Sequence, residues 1–462
     1  MSLPSSLDYT KILPIAAGNP RAMRRTFLPV NGQSFTAAGN NIVRIEISAD
    51  QFWDPMHSYL RFDITNGGQT AGMDFGGGHG FIRRLRLEQA GSIIMDTNRY
   101  DRLLAGILLP SQGGYDNLQH RTITENIPGG NNVSIGVAAT TLPIAAGVAT
   151  GSVTTAPAPA TDYLAAAATT SYSIPLVGGL FSQDKLVPLQ LLSSSPLTIE
   201  IELAPAVDAM VSAGGGNTDY TMANVRYIAQ LVETSPDVDA QVRMVQEMSG
   251  GHIVLNSTDY THFSGQVPAN AAGQVAINVP ARRKSLKSLL FVGASQTGAN
   301  FTNFRQSFGG NLGLNNYFVK IGSINHPATP IECRFTAGGP GGALLNGRGE
   351  ALTELAKCFG TAGSLIGTGI LNRMNYALLS GAVANGRVGA GTPFKFSPFG
   401  IDLEAFQRTA IESGVNTADR STPISLILDI GTVLAEVQVV DAFVSFDSLY
   451  YIDSTGIISV SH

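Results

Sequence analysis

Catalysis needs groups that converge, and the reactive side chains of this sequence are scattered. The seven histidines, His57, His79, His120, His252, His262, His326 and His462, form no H-x-H, H-x-x-x-H or H-E-x-x-H pairing. A metal site would therefore have to be assembled across the fold without a local signature. His57 and His326 lie near apolar runs, where a lone histidine is expected to be a hydrogen-bonded structural residue. No serine has glycine both two positions before and two positions after it, which removes the hydrolase nucleophile elbow. No Gly-Lys pair exists, which removes the G-x-x-x-x-G-K-[S/T] phosphate loop. GGGHG at residues 76–80 precedes a strand-like run, whereas a phosphate cradle should open a helix, so it reads as a turn. Cys333 and Cys358, the only two cysteines, are too few for a disulfide framework or a four-thiolate site and read as reduced thiols.

Carboxylates leave one enzymatic option. Glu46, Asp63, Glu200 and Glu202 fall on polar strand faces, where a pair facing a groove could cleave a glycosidic bond. Such grooves usually carry aromatic platforms, and the chain has a single tryptophan, Trp53. These carboxylates are expected in solvated faces or in pairs at an interface, and neither enzymatic activity nor a cofactor is expected.

Positive charge clusters in three places: Arg21, Arg24 and Arg25; Arg83, Arg84 and Arg86; and Arg282, Arg283, Lys284 and Lys287. The first group lies in a Pro/Gly-bearing N-terminal stretch ahead of the first recognisable strand and is the candidate contact to a partner or anionic surface. The other two lie at or in strands, where salt bridges between subunits explain them as well as nucleic acid does. The net charge of −5 and the lack of a long basic run argue against a polynucleotide-coating protein and against sequence-specific nucleic-acid binding.

The elements that would position these groups are strands. In NIVRIEIS, Val43, Ile45 and Ile47 alternate with Arg44 and Glu46, the period-two pattern of a half-buried strand. SYLRFDIT, FIRRLRLEQ and LTIEIELA repeat it in the first half; QVAINVP, NYFVKIGS and ISLILDI repeat it in the second. EVQVVDAFVSFDSLYYID is apolar on both faces, which fits a central strand covered on both sides or two strands joined by a bend. Helices are few: residues 97–110 and 347–360 read as helical, at matching places in the two halves. The strand pairs beginning near Phe81 and Tyr317 suggest a duplication. Charged residues are 14% and hydrophobic residues 44% of the 462-residue chain, enough apolar content for large cores and too little charge for disorder. No run of about 18 apolar residues marks a membrane span. Residues 131–173, nearly uncharged and rich in Ala, Thr, Val and Gly, read as an elaborated packed loop.

In order and spacing, these segments resemble the double jelly-roll major capsid proteins of icosahedral double-stranded DNA viruses and virophages. The likeness rests on FWDPMHSYLRFDITN, GFIRRLRLEQAGSIIMDTNRYDRLLAGIL, LVPLQLLSSSPLTIEIELA and VRYIAQLVETSPDV in the first half. In the second half it rests on RRKSLKSLLFVG, NNYFVKIGSINHPATPI, FSPFGIDLEAFQRTAIESGVNT and VVDAFVSFDSLYYID. It spans roughly residues 25–455, and the segments 131–173 and 361–398 follow no family pattern. The resemblance implies an all-β chain of two eight-stranded jelly-roll sandwiches in tandem, with short helices and long loops. The expected boundaries are an N-terminal arm at 1–26 and a first jelly roll at 27–235, with its long loop at 110–173. A linker at 236–250 and a second jelly roll at 251–462, with a Gly-rich loop at 338–398, complete the chain.

By the same resemblance, the chain would form a homotrimeric, pseudo-hexagonal capsomer that tiles an icosahedral shell beside neighbouring capsomers. It would meet minor capsid or penton proteins, with an internal membrane beneath, and Arg21, Arg24 and Arg25 would lie at the inner face. The location implied is the virion shell, with synthesis in the host cytoplasm, consistent with the lack of a secretory leader pattern in MSLPSSLDYTKILPIAAGNP. The competing expectation is a two-domain β-sandwich binding module, lectin-like or a receptor-binding spike. A spike would show aromatic clusters in its loops, and residues 131–173 offer only Tyr163 and Tyr172.

Overall fold

The computed structural model describes residues 20–112, 124, 164–295, 305–307, 312–333, 336–337, 344–345, 349–359, 371, 397–405, 413–419, 421–431 and 436–462, less 69–70, 75, 193–194, 213–217 and 235. Most of the expected loops at 110–173 and 338–398 lie outside the described residues.

Alternation of apolar and polar residues becomes paired strands throughout. The first half contains β1 (Arg21–Phe27), β2 (Ile42–Ile47), β3 (Phe52–Asn66) and β4 (Ile82–Gln89). It continues with β5 (Ser92–Asn98), β6 (Thr169–Ile174), β7 (Leu197–Leu203) and β8 (Tyr220–Glu233). The second half contains β9 (His252–Val267), β10 (Gly273–Asn278), β11 (Leu286–Ser295) and β12 (Leu314–Ile321). It ends with β13 (Ile324–Glu332), β14 (Pro398–Asp402), β15 (Ile424–Ile430), β16 (Gln438–Asp453) and a closing β17 (Ile458–Ser461).

Sheet one has the order β1-β8-β3-β6 and sheet two β2-β7-β4-β5; sheet three has β9-β16-β11-β14 and sheet four β10-β15-β12-β13. Adding eight to each strand number of the first half gives the second half. The repeat between Phe81 and Tyr317 thus falls on equivalent strands, β4 and β12. All of these pairings are antiparallel, and each half is a two-layer sandwich with the strand order of a jelly roll.

Inward residues are those read from the alternation. Leu60, Phe62 and Ile64 of β3 and Leu197 and Ile199 of β7 are fully buried. Trp53 meets Phe181 and Tyr227 edge-on, at ring separations of 5.9 and 6.1 Å. The double-sided segment near the C-terminus is one continuous strand, β16. Val440, Ala442, Val444 and Phe446 face the second core, while Phe443, Tyr450 and Ile452 join the first. Neighbouring β11 divides in the same way, with Leu289 and Phe291 inward and Leu290 and Val292 toward the first sandwich.

Two stretches differ from the sequence reading. Residues 21–26, expected to belong to a strand-free arm, lie in β1, which pairs from Arg21↔Glu233 to Phe27↔Tyr227. As a sheet edge, β1 needs few apolar residues, and its arginines discourage further strand pairing. The expected linker at 236–250 is largely a helix, α2 (Pro236–Met248). Proline suits the first position of a helix because the N–H it lacks has no partner there. Two further helices occur where expected. α1 runs from Tyr100–Leu103 through a π turn, Leu104–Leu108, to Leu109–Gln112, and α3 spans Gly349–Lys357. Among the described residues no helix is long and apolar enough to cross a membrane.

Candidate functional site

The polar faces of the described strands hold ion pairs. On the outer face of sheet two, register sets Glu200 between Arg44 and Arg86. Its two oxygens lie 2.8 Å from Arg44 and 3.0 Å from Arg86. Arg84 binds Asp96 through two bonds of 2.7 and 2.6 Å, and Arg86 also reaches Glu88 at 3.1 Å. Glu202 follows Glu200 on the same face, and Glu46 sits one strand away opposite Thr198. Three of the carboxylates considered for glycoside cleavage, Glu46, Glu200 and Glu202, are thus distributed along a charged ladder, with Glu200 held by two guanidiniums. Asp63 is on the outer face of sheet one. Burial opposes its ionisation, but hydrogen bonds from Ser171 and Asn224 and the charges of Arg61 and Arg226 lower its pKa below the usual value.

Two of the basic clusters find partners inside the chain, where salt bridges between subunits or nucleic acid had been expected. Arg83 binds Asp208 at 2.9 Å, and Arg305 reaches the same carboxylate at 3.0 Å. Arg282 donates to the Thr422 carbonyl at 2.5 Å, Arg283 stacks 4.1 Å from the Phe446 ring centre, and Lys287 lies 3.0 Å from Glu404. The cluster of Arg21, Arg24 and Arg25 differs. All three are exposed on β1 and, among the described residues, none has a carboxylate within ion-pair distance. Arg24 lies 5.6 Å from the Tyr59 ring and Arg25 5.1 Å from Phe27.

The most constrained polar group is one that sequence reasoning missed, at the junction of the two sandwiches. Arg102 of α1 has no exposed surface. It donates to the carbonyls of Arg305 at 3.0 Å, Gln306 at 2.6 Å and Gly293 at 3.0 Å, and its Nε lies 3.5 Å from Asp441 of β16. His262 of β9 contacts the other Asp441 oxygen at 2.8 Å. Burial alone would raise the Asp441 pKa; the His262 hydrogen bond and the charges of Arg102 and Arg99 bring it down to about 2. Asp101, equally buried, is raised by burial despite Arg99 at 3.2 Å. Asp74 accepts the backbone N–H of Gln306 at 2.8 Å and also binds Ser307. Gln306 donates in turn to the Gly80 carbonyl at 2.7 Å.

One further contact crosses the junction, and a buried carboxylate of the second half lies beside it. Gln89 of β4 donates to the Gly456 carbonyl and accepts from the Ile458 N–H, both at 2.8 Å. Asp259 of β9 accepts from the Tyr450 hydroxyl at 2.5 Å and is raised by burial. Gly179 (φ +51°) presses on this pair: a Cβ there would fall 2.6 Å from Asp259 and 2.5 Å from Met95.

His57 is hydrogen-bonded, as the sequence reading expects, but at the surface. Its side chain is 77% exposed and 2.7 Å from Asp54; His79 and His262 are the ones packed inside, His79 3.5 Å from the Tyr100 hydroxyl. Among the described residues no three His, Cys, Asp or Glu side chains are arranged to hold a metal ion. Cys333 is buried and Cys358 half-buried, and neither is in a disulfide; burial pushes the Cys358 thiol well up.

No protein-family model matches the sequence, and comparison with curated proteins finds no match. Solved structures do match over nearly the whole chain. A chain of the Sputnik virophage is 10% identical with a TM-score of 0.55, covering 100% of this chain and 92% of that one. A chain of the PBCV-1 virus capsid is 11% identical with a TM-score of 0.53, covering 96% and 97%. The Faustovirus major capsid protein is 9% identical with a TM-score of 0.51, covering 94% and 90%. What is similar at such low identity is the path of the chain, including the tandem order of the two sandwiches. The fold of this chain is the double jelly roll, the fold of these viral capsid proteins.

Proposed function

We propose that this chain is the major capsid protein of an icosahedral virion, assembling as a homotrimer whose six sandwiches form a pseudo-hexagonal tile. The observation that carries the reading is the tandem double jelly roll itself, matched from end to end by chains of viral capsids. The role of those proteins is structural, and the polar groups of sheet two and of the junction between the sandwiches are engaged in holding the fold together. In the proposed shell the chain borders neighbouring capsomers and minor or penton proteins. Arg21, Arg24 and Arg25 then serve as an inner-face contact to an acidic partner or an underlying membrane.

The test is native mass spectrometry of the purified protein, followed by electron microscopy of particles that contain it. A species of three times the 48.4 kDa chain mass with a hexagonal outline is the expected result. A stable monomer absent from particles refutes the reading.

A further inference from the structure

The two halves have the same strand order, yet the same face is treated differently in each. In the second half, the face of sheet three turned away from its own core is sealed by the first half. Asp441, Phe443, Leu290 and Val292 on that face are all buried. The covering elements are β5, α1 and the turn Gly179–Ser182, with the Arg102 guanidinium meeting Asp441.

The equivalent face of sheet one belongs to β1, β8 and β3. There Arg24 is exposed, and Tyr59, Arg61, Arg226 and Gln230 keep part of their surface in solvent. Register sets Arg226 opposite Arg61, and Arg24 opposite Gln230. Among the described residues none of the three arginines has a carboxylate within ion-pair distance; Asp63, whose ionisation Arg61 and Arg226 favour, is hydrogen-bonded by Ser171 and Asn224 at 2.6 and 2.7 Å.

The elements of the second half that correspond to β5 and α1 are β13 and α3. They present Glu332 and Glu350, both exposed, and the Glu332 N–H donates to the Glu350 carboxylate at 3.1 Å. Among the described residues neither has a cation within ion-pair distance, while nearby Glu354 is taken by Lys357.

We propose that the arginine face of sheet one docks on the β13/α3 flank of a second copy of this chain, with Arg61 and Arg226 opposed to Glu332 and Glu350. This rests on the trimeric reading above and specifies the surfaces that build it. The contact repeats the junction within the chain with its polarity inverted, since here the sheet brings the guanidiniums and the helix flank the carboxylates. It is a head-to-tail contact, and alternating it with the internal junction closes a ring of three chains. Opposed charges at the rim set register and encounter rate and are screened by salt.

The experiment is a charge-swap set followed by analytical ultracentrifugation at low and high salt. Arg61→Glu with Arg226→Glu puts like charges across the contact, as does Glu332→Arg with Glu350→Arg. Each pair should weaken association by about tenfold or more, and the four changes combined should restore it. Glu46→Lys, on the outer face of sheet two, should leave association unchanged. Circular dichroism confirms that each variant is folded, and Arg61→Gln with Arg226→Gln provides a milder version should the reversals misfold. Folded variants that associate like the parent, or a combined variant that fails to recover, overturn the proposed surfaces while leaving the capsid reading in place. A parent chain that never self-associates overturns both.

Discussion

Replacing Arg102 with methionine isolates the cost of joining the two sandwiches through a buried cation. The change keeps most of the side-chain volume and removes three hydrogen bonds, to Arg305, Gln306 and Gly293 at 3.0, 2.6 and 3.0 Å. It also leaves the Asp441 carboxylate, 6% exposed, with His262 as its nearest remaining polar contact. Bonds from a charged donor contribute about 1.5–3 kcal/mol each, offset by the desolvation of the guanidinium. Removing one member of a buried ion pair costs about 3–5 kcal/mol, because the other charge stays buried. The stranded carboxylate outweighs the net worth of the lost bonds, so about 3–5 kcal/mol is the expected destabilisation. Every severed bond crosses between the halves, so the loss falls on their coupling. Urea unfolding at one protein concentration, followed by Trp53 fluorescence and by circular dichroism, reads it directly. Trp53 is the only tryptophan and sits in the first core. The two signals should coincide in the parent and separate in the variant, with Arg102→Lys falling between. Coincident transitions and a loss below about 1 kcal/mol would refute the reasoning.

Four further outcomes follow from residues at the junction or beside it. Asp441, lowered from 3.8 to about 2, contributes about 2 kcal/mol that is present above pH ~4 and is lost as pH falls through 2. Asp441→Asn should therefore destabilise at pH 7 and flatten the stability curve between pH ~4 and ~2. Asp259 is raised, so its ionisation opposes folding and stability is regained as pH falls through its folded value. Asp259→Asn should stay within about 1 kcal/mol of the parent at pH 7, and urea midpoints from pH 2 to 7 check both. Gln89→Ala should cost about 1–3 kcal/mol and speed hydrogen exchange in β17 more than in sheet two. Gly179→Ala places a Cβ against Met95 and Asp259 at a positive φ; about 1–3 kcal/mol of destabilisation is expected in thermal melts.

The sandwiches were legible because alternation reports one-sided burial, and Val43, Ile45, Leu197 and Ile199 show it plainly. The two-sided burial of β16 was legible as well, though alternation could not separate one strand from two. The junction was not. Arg102 is one arginine in TNRYDRLL, and its partners Gly293 and Gln306 lie 191 and 204 residues away. No local spacing distinguishes an arginine that turns inward from one that faces water. The same limit hid β1, whose arginines outnumber its buried residues, and α2, whose polar sequence exposes Met244, Val245 and Met248. Conversely, Arg83, Arg84 and Arg86 gave no local sign that their partners lay within the chain.

In each half the opening strand pairs with the eighth, Arg21 with Glu233 and His252 with Asp453. On a ribosome moving at roughly 5–20 residues per second, β1 emerges about 10–40 s before its partner. For that interval it is an unsatisfied ribbon in a crowd of identical nascent chains. Arg21, Arg24 and Arg25 then act as gatekeepers, their mutual repulsion keeping one unfinished subunit from pairing with the next.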